Sequence, residues 1–150
     1  MTHKRRVVIT GAGLVSPLGL TARDSWNALI AGTSGINHIS STGSPSIPVS
    51  IAGSVRQFNP ARLPGKKKNI KLMNRDAQLA VAATDEALAD AGINRETTEP
   101  AAFGIAFGAF GIQYTMDEAF GFLRKEGEIS TLNPIWPLTI LPNMSLCHSA

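Results

Sequence analysis

Arg5-Arg6-Val7-Val8-Ile9-Thr10-Gly11-Ala12-Gly13-Leu14-Val15-Ser16-Pro17-Leu18-Gly19 decides the fold class of this 150-residue chain. Val7, Val8 and Ile9 form a continuous β-branched run, the pattern of a strand buried on both faces of an α/β sheet, expected here over residues 5–10. Gly11 and Gly13 allow a sharp backbone turn at the strand exit, where a Cβ would be strained. Pro17 keeps the next residues out of a helix interior. A strand running into G-x-G is also half of a dinucleotide-binding fingerprint. That fingerprint fails here, because Ser16 holds its third glycine position and Pro17 follows. Where the ribose-binding acid belongs, the chain reads Gly35-Ile36-Asn37-His38.

Downstream, Thr21-x-x-Asp24 forms a capping box before a helix whose Trp26, Leu29 and Ile30 share one face, with Gly32 as its stop. Residues 33–48 are rich in Gly, Ser and Pro and read as loop. Val49, Ile51 and Val55 alternate with small or polar residues, as in a half-buried edge strand. The clearest helix spans 74–91, where Ala77, Val81, Thr84, Leu88 and Ala91 step by four and three. Its additional alanines at 80, 82, 83 and 87 permit close packing against a neighbouring backbone. Residues 101–107 read as a small-residue apolar strand. Thr115-Met116-Asp117-Glu118 caps a further helix carrying Met116, Phe120 and Leu123, ended by Gly127. Residues 131–142 form an irregular loop with three prolines, and a last helix begins near Asn143.

Composition narrows the function classes. Hydrophobic residues make up 43% and charged ones 17%, which excludes a disordered chain. No stretch approaches the roughly 20 apolar residues of a membrane span, and the apolar run after the basic start breaks at Gly11, too early for a signal peptide. One cysteine, Cys147, excludes an internal disulfide framework and fits a reducing cytoplasm. The net charge of +3 is too small to argue for nucleic acid. Its distribution is more informative: Lys66, Lys67, Lys68, Lys71 and Arg75 fall within ten residues. In isolation such a run is a solvated face; it would also steer an acidic partner.

The opening strand with Thr10-Gly11-x-Gly13-x-Val15-Ser16-Pro17-Leu18-Gly19 resembles the start of the β-ketoacyl-acyl carrier protein synthases, the condensing enzymes of fatty acid and polyketide synthesis. Three later stretches resemble the same family. Lys71-Leu72-Met73-Asn74-Arg75-Asp76-Ala77 and its continuation to Ala91-Gly92-Ile93 look like the family's alanine-rich helix. Phe103-Gly104-Ile105-Ala106-Phe107-Gly108 looks like its next core strand. Leu141-Pro142-Asn143-Met144, with His148, looks like the helix before the nucleophile. The resemblance covers essentially the whole chain and is closest to the elongating, carrier-dependent branch.

The resemblance implies an α/β, thiolase-like fold, with residues 1–150 as an incomplete N-terminal half that stops before the nucleophilic cysteine. It implies decarboxylative Claisen condensation of acyl and malonyl thioesters in the complete protein. In the family the attacking cysteine and the two decarboxylating residues lie further along, so no catalytic residue, metal or cofactor is expected within this chain. Lys68 and Lys71 match the family's docking patch for acyl carrier protein. Phe110 and Gly111 fall in the loop that borders the acyl pocket, where Phe110 is bulky at a position usually small; it either narrows the pocket or fills core volume. The expected partners are the carrier and a second ketosynthase-like chain, in a homodimer or a heterodimer, with no nucleic acid and no membrane. The alternative is a non-catalytic subunit of the chain-length-factor type that pairs with an active synthase. Cys147 corresponds to a small residue of the motif, and adjacent helix residues point about 100° apart. It is therefore expected to be a buried, inert thiol, with His148 a packed structural histidine.

Overall fold

The computed structural model describes residues 6–38, 50–65, 67–94, 98–99, 101, 103–109, 121, 134–135, 138 and 141–150. The chain divides into two compact units, one formed by Met1–Phe58 with Ala82–Thr98, the other by Asn59–Val81 with Glu99–Ala150.

In the first unit, helix α1 spans Ala22–Ile30, capped as the sequence predicts by the Thr21 hydroxyl, which accepts from the Asp24 N–H at 3.0 Å. Gly32 ends it with φ +69°, a conformation that costs a side-chain-bearing residue about 1 kcal/mol or more. Strands β1 (Ile36–His38) and β2 (Ile51–Gly53) pair antiparallel, with Ile36 opposite Gly53 and His38 opposite Ile51. β1 lies inside the stretch expected to be loop: three residues suffice for a strand when a partner supplies the hydrogen bonds, whatever their flanking Gly and Ser. β2 occupies the expected edge strand, but Ile51 faces outward and Ala52 is the half-buried residue.

One expectation for this unit fails. Residues 6–10 form no strand, and Val7 and Ile9 are 90% and 92% exposed. A strand needs a neighbour's N–H and C=O groups, and among the described residues the only sheet is the β1–β2 pair. The apolar face of α1 also stays uncovered, with Trp26, Leu29 and Ile30 each more than half exposed. The residue that α1 buries is instead Ser25, whose hydroxyl lies 2.8 Å from that of Ser16 and donates to the Gly19 carbonyl at 3.3 Å.

In the second unit a 3-10 turn at Pro60–Arg62 leads to helix α2 (Lys67–Ile70). Helix α3 spans Arg75–Asp90, beginning in this unit and continuing in the first. The apolar core lies here: Leu63, Ile70, Met73, Ala77 and Val81 are buried, as the stepping of Ala77 and Val81 predicts. Asn74 caps α3, its Oδ1 accepting from the Ala77 N–H at 2.8 Å, and Gln78 Nε2 donates to the Met73 carbonyl at 3.1 Å. Helix α4 (Met144–Ser149) follows Asn143, and the Ser149 hydroxyl donates to the Ser145 carbonyl at 2.8 Å. Residues 103–109 are likewise unpaired, with Phe103 and Phe107 exposed, against the expected strand at 101–107. The helix expected after Thr115 lies outside the described residues. No helix among the described residues is long and apolar enough to cross a membrane.

Candidate functional site

The Gly11-x-Gly13 motif is built against the C-terminal part of α3. A Cβ at Gly13 would fall on the Ala83 carbonyl oxygen and lie 2.7 Å from the Ala87 nitrogen; one at Gly11 would lie 2.8 Å from the Ala91 Cβ. Ala83, Ala87 and Ala91 recur every four residues, so one small-residue row of the helix receives both glycines. Neither glycine has positive φ, which corrects the expectation of a turn: close approach, not conformational freedom, requires them.

Two carboxylates on the same helix hold this segment. The Ala12 N–H donates to Asp90 Oδ2 at 2.9 Å, and the Leu14 N–H to Glu86 Oε2 at 2.9 Å. Glu86 Oε1 accepts from the Ala22 N–H, the first residue of α1, at 2.8 Å. In a dinucleotide site such loop N–H groups would face a phosphate. Here anions of the protein already occupy those of Ala12 and Leu14, which closes the nucleotide reading on chemical grounds. Glu86 and Asp90 are positioning residues that the sequence reading did not single out. Their i, i+4 spacing beside the alanine row is the signal that could have found them.

In the second unit α2 presents the basic cluster. Lys67, Lys68, Lys71 and Arg75 are exposed, as is Arg62 on the preceding 3-10 turn. Lys71 continues the helical turn, its N–H reaching the Lys67 carbonyl at 3.4 Å, so Lys68 and Lys71 share a side while Ile70 turns into the core. No Asp or Glu occurs between Asn59 and Arg75. The charges carried by this stretch are therefore all positive, with the exposed Asp76 directly after it.

The same unit contains a cavity of about 200 Å³. Asn74, Asp76 and Ala80 of the α3 N-terminal turns line one wall, Phe107, Gly108 and Ala109 another, and Leu141, Pro142 and Ser145 a third. Apolar and polar side chains share the lining. Phe110 and Gly111, the residues expected at a pocket wall, lie outside the described residues.

Cys147 is exposed, which corrects the expectation of a buried thiol: on the short α4 the buried positions are Ser145 and Ser149. His148 is half-buried, its Nε2 enclosed with no hydrogen-bond partner among the described residues. Among those residues no group of three or more His, Cys, Asp or Glu side chains could hold a metal ion.

Comparison with known proteins adds the family. The chain is 42% identical over 107 residues to 3-oxoacyl-(acyl-carrier-protein) synthase 2 of Coxiella burnetii, an alignment covering 71% of this chain and 26% of that protein. Its backbone superimposes on a β-ketoacyl synthase from Burkholderia phymatum STM815 with a TM-score of 0.80 and 27% identity, over 97% of this chain and 36% of that one. The ishigamide ketosynthase/chain length factor superimposes with a TM-score of 0.77 and 25% identity, over 95% of this chain and 36% of that one. The chain thus spans about a third or less of the proteins it matches. The match lies in the N-terminal part of ketosynthase chains. A family model described as beta-ketoacyl synthase, N-terminal domain, matches residues 4–146, and the chain belongs to that family.

Proposed function

We propose that the complete protein is a 3-oxoacyl-acyl-carrier-protein synthase and that these residues form part of its N-terminal domain. An acyl group passes from carrier protein to an active cysteine beyond the residues described here. A malonyl group on the carrier then loses carbon dioxide, and the resulting carbanion attacks the acyl thioester, expelling the cysteine thiolate. This chain contributes no reacting group. It contributes a docking surface at Lys68 and Lys71 and a pocket wall at Phe110 and Gly111, continuous in sequence with the Phe107–Ala109 wall of the cavity. The observation that carries this reading is the family match over residues 4–146. The exposed basic residues of the α2 region support the docking assignment, because an acidic carrier would be steered to them. The reading places the protein in the cytoplasm, paired with itself or with another ketosynthase-like chain.

The likeness to the ishigamide ketosynthase/chain length factor favours a second reading, a non-catalytic subunit that acts only when paired with an active synthase. One experiment separates the two. The complete protein is incubated with acyl and radiolabelled malonyl carrier protein, alone and with candidate partner chains. Release of labelled carbon dioxide and formation of the 3-oxoacyl product by the protein alone supports the enzyme. Product only with a partner supports the subunit, and no product in any combination refutes the condensing function.

A further inference from the structure

We draw no further inference here: the strongest candidate, the cavity of about 340 Å³ lined by the 16–20 loop, Asn37 of β1, and Ser54, Arg56 and Gln57 after β2, takes its charge only from the exposed side chains of Asp24 and Arg56, and nothing in the structure shows what would fill it.

Discussion

Gly13→Ala is the most direct perturbation of the N-terminal segment. The new Cβ would land on the Ala83 carbonyl oxygen and 2.7 Å from the Ala87 nitrogen, both parts of a helix backbone that cannot swing aside as a side chain would. The segment must lift from α3 until that carbonyl clears about 3 Å, and lifting stretches the bonds from Ala12 to Asp90 and from Leu14 to Glu86, each now 2.9 Å. Overpacking of this kind costs about 1 to 3 kcal/mol. The two hydrogen bonds are exposed, so each adds only about 0.5 to 1 kcal/mol. Together the cost is about 2 to 5 kcal/mol, which at about 1.4 kcal/mol per factor of ten raises local opening roughly 30-fold to several thousand-fold.

Hydrogen exchange over residues 6–20 of the complete protein reads that opening directly, because the amides of Ala12 and Leu14 are the ones released. Gly104→Ala is the matched control: its Cβ meets nothing within 4 Å and its φ is not positive, so exchange and melting should hardly change. If exchange at residues 12–14 of Gly13→Ala is as slow as in the wild type, the tight approach is not a constraint and the account of the motif is wrong.

Three further outcomes follow from the same geometry. Glu86→Gln leaves one acceptor oxygen for two N–H groups, so either Leu14 or Ala22 loses its partner; a stability loss of about 1 to 2 kcal/mol in denaturant titration is expected, and an unchanged midpoint would count against the bridge. Replacing Lys68 and Lys71 with glutamate in the complete protein should weaken carrier binding several-fold to tenfold at low salt and progressively less as salt rises. Turnover of a small acyl donor that bypasses the carrier should be unaffected, while an unchanged carrier affinity at low salt would withdraw the docking assignment. The polypeptide of these 150 residues alone should release no carbon dioxide from malonyl carrier protein above a Cys147→Ala control. It should also self-associate in light scattering through Val7, Ile9, Trp26, Leu29 and Ile30; a monodisperse monomer would refute the second expectation.

The features legible in the sequence were those determined locally. The Thr21 cap, the Gly32 stop, the Ala77 and Val81 core positions and the Asn143 helix start all depend on residues within a turn or two, and all appear where the pattern places them. The alanines of α3 announced a close backbone approach, and Gly11 and Gly13 are what approaches. Strands were misjudged because they are non-local. Val7-Val8-Ile9 has the composition of a central strand, but composition supplies no partner, while Ile36–His38 pairs despite its loop-like surroundings. The cavity was not legible: Asp76 meets Phe107 and Leu141 there through the placement of α3, which no spacing along the chain encodes, and Phe110 and Gly111, expected at a pocket wall, lie outside the described residues.

The two kinds of interaction in the N-terminal unit do different work. Among its described residues only Ser25 is buried, so apolar burial contributes little there. Position is set by polar contacts and sterics: three N–H groups held by Glu86 and Asp90, and two glycines seated on an alanine row. These contacts fix register tightly, since a shift of one residue along the segment would set a Cβ-bearing residue against the helix and turn the N–H groups away from the carboxylates. They supply modest energy, because they are partly exposed and screened. The larger reserve lies outward, in Val7, Ile9, Trp26, Leu29 and Ile30. At about 1.5 to 3 kcal/mol for each fully buried side chain, covering all of these residues would gain on the order of 10 kcal/mol, comparable with the net stability of a whole domain. The carboxylate latch therefore determines where the N-terminal segment lies, and burial of these apolar residues would determine how firmly the unit holds together. That division makes Gly13 and Glu86 sensitive to geometry, and makes the exposed apolar residues sensitive to whatever packs against them.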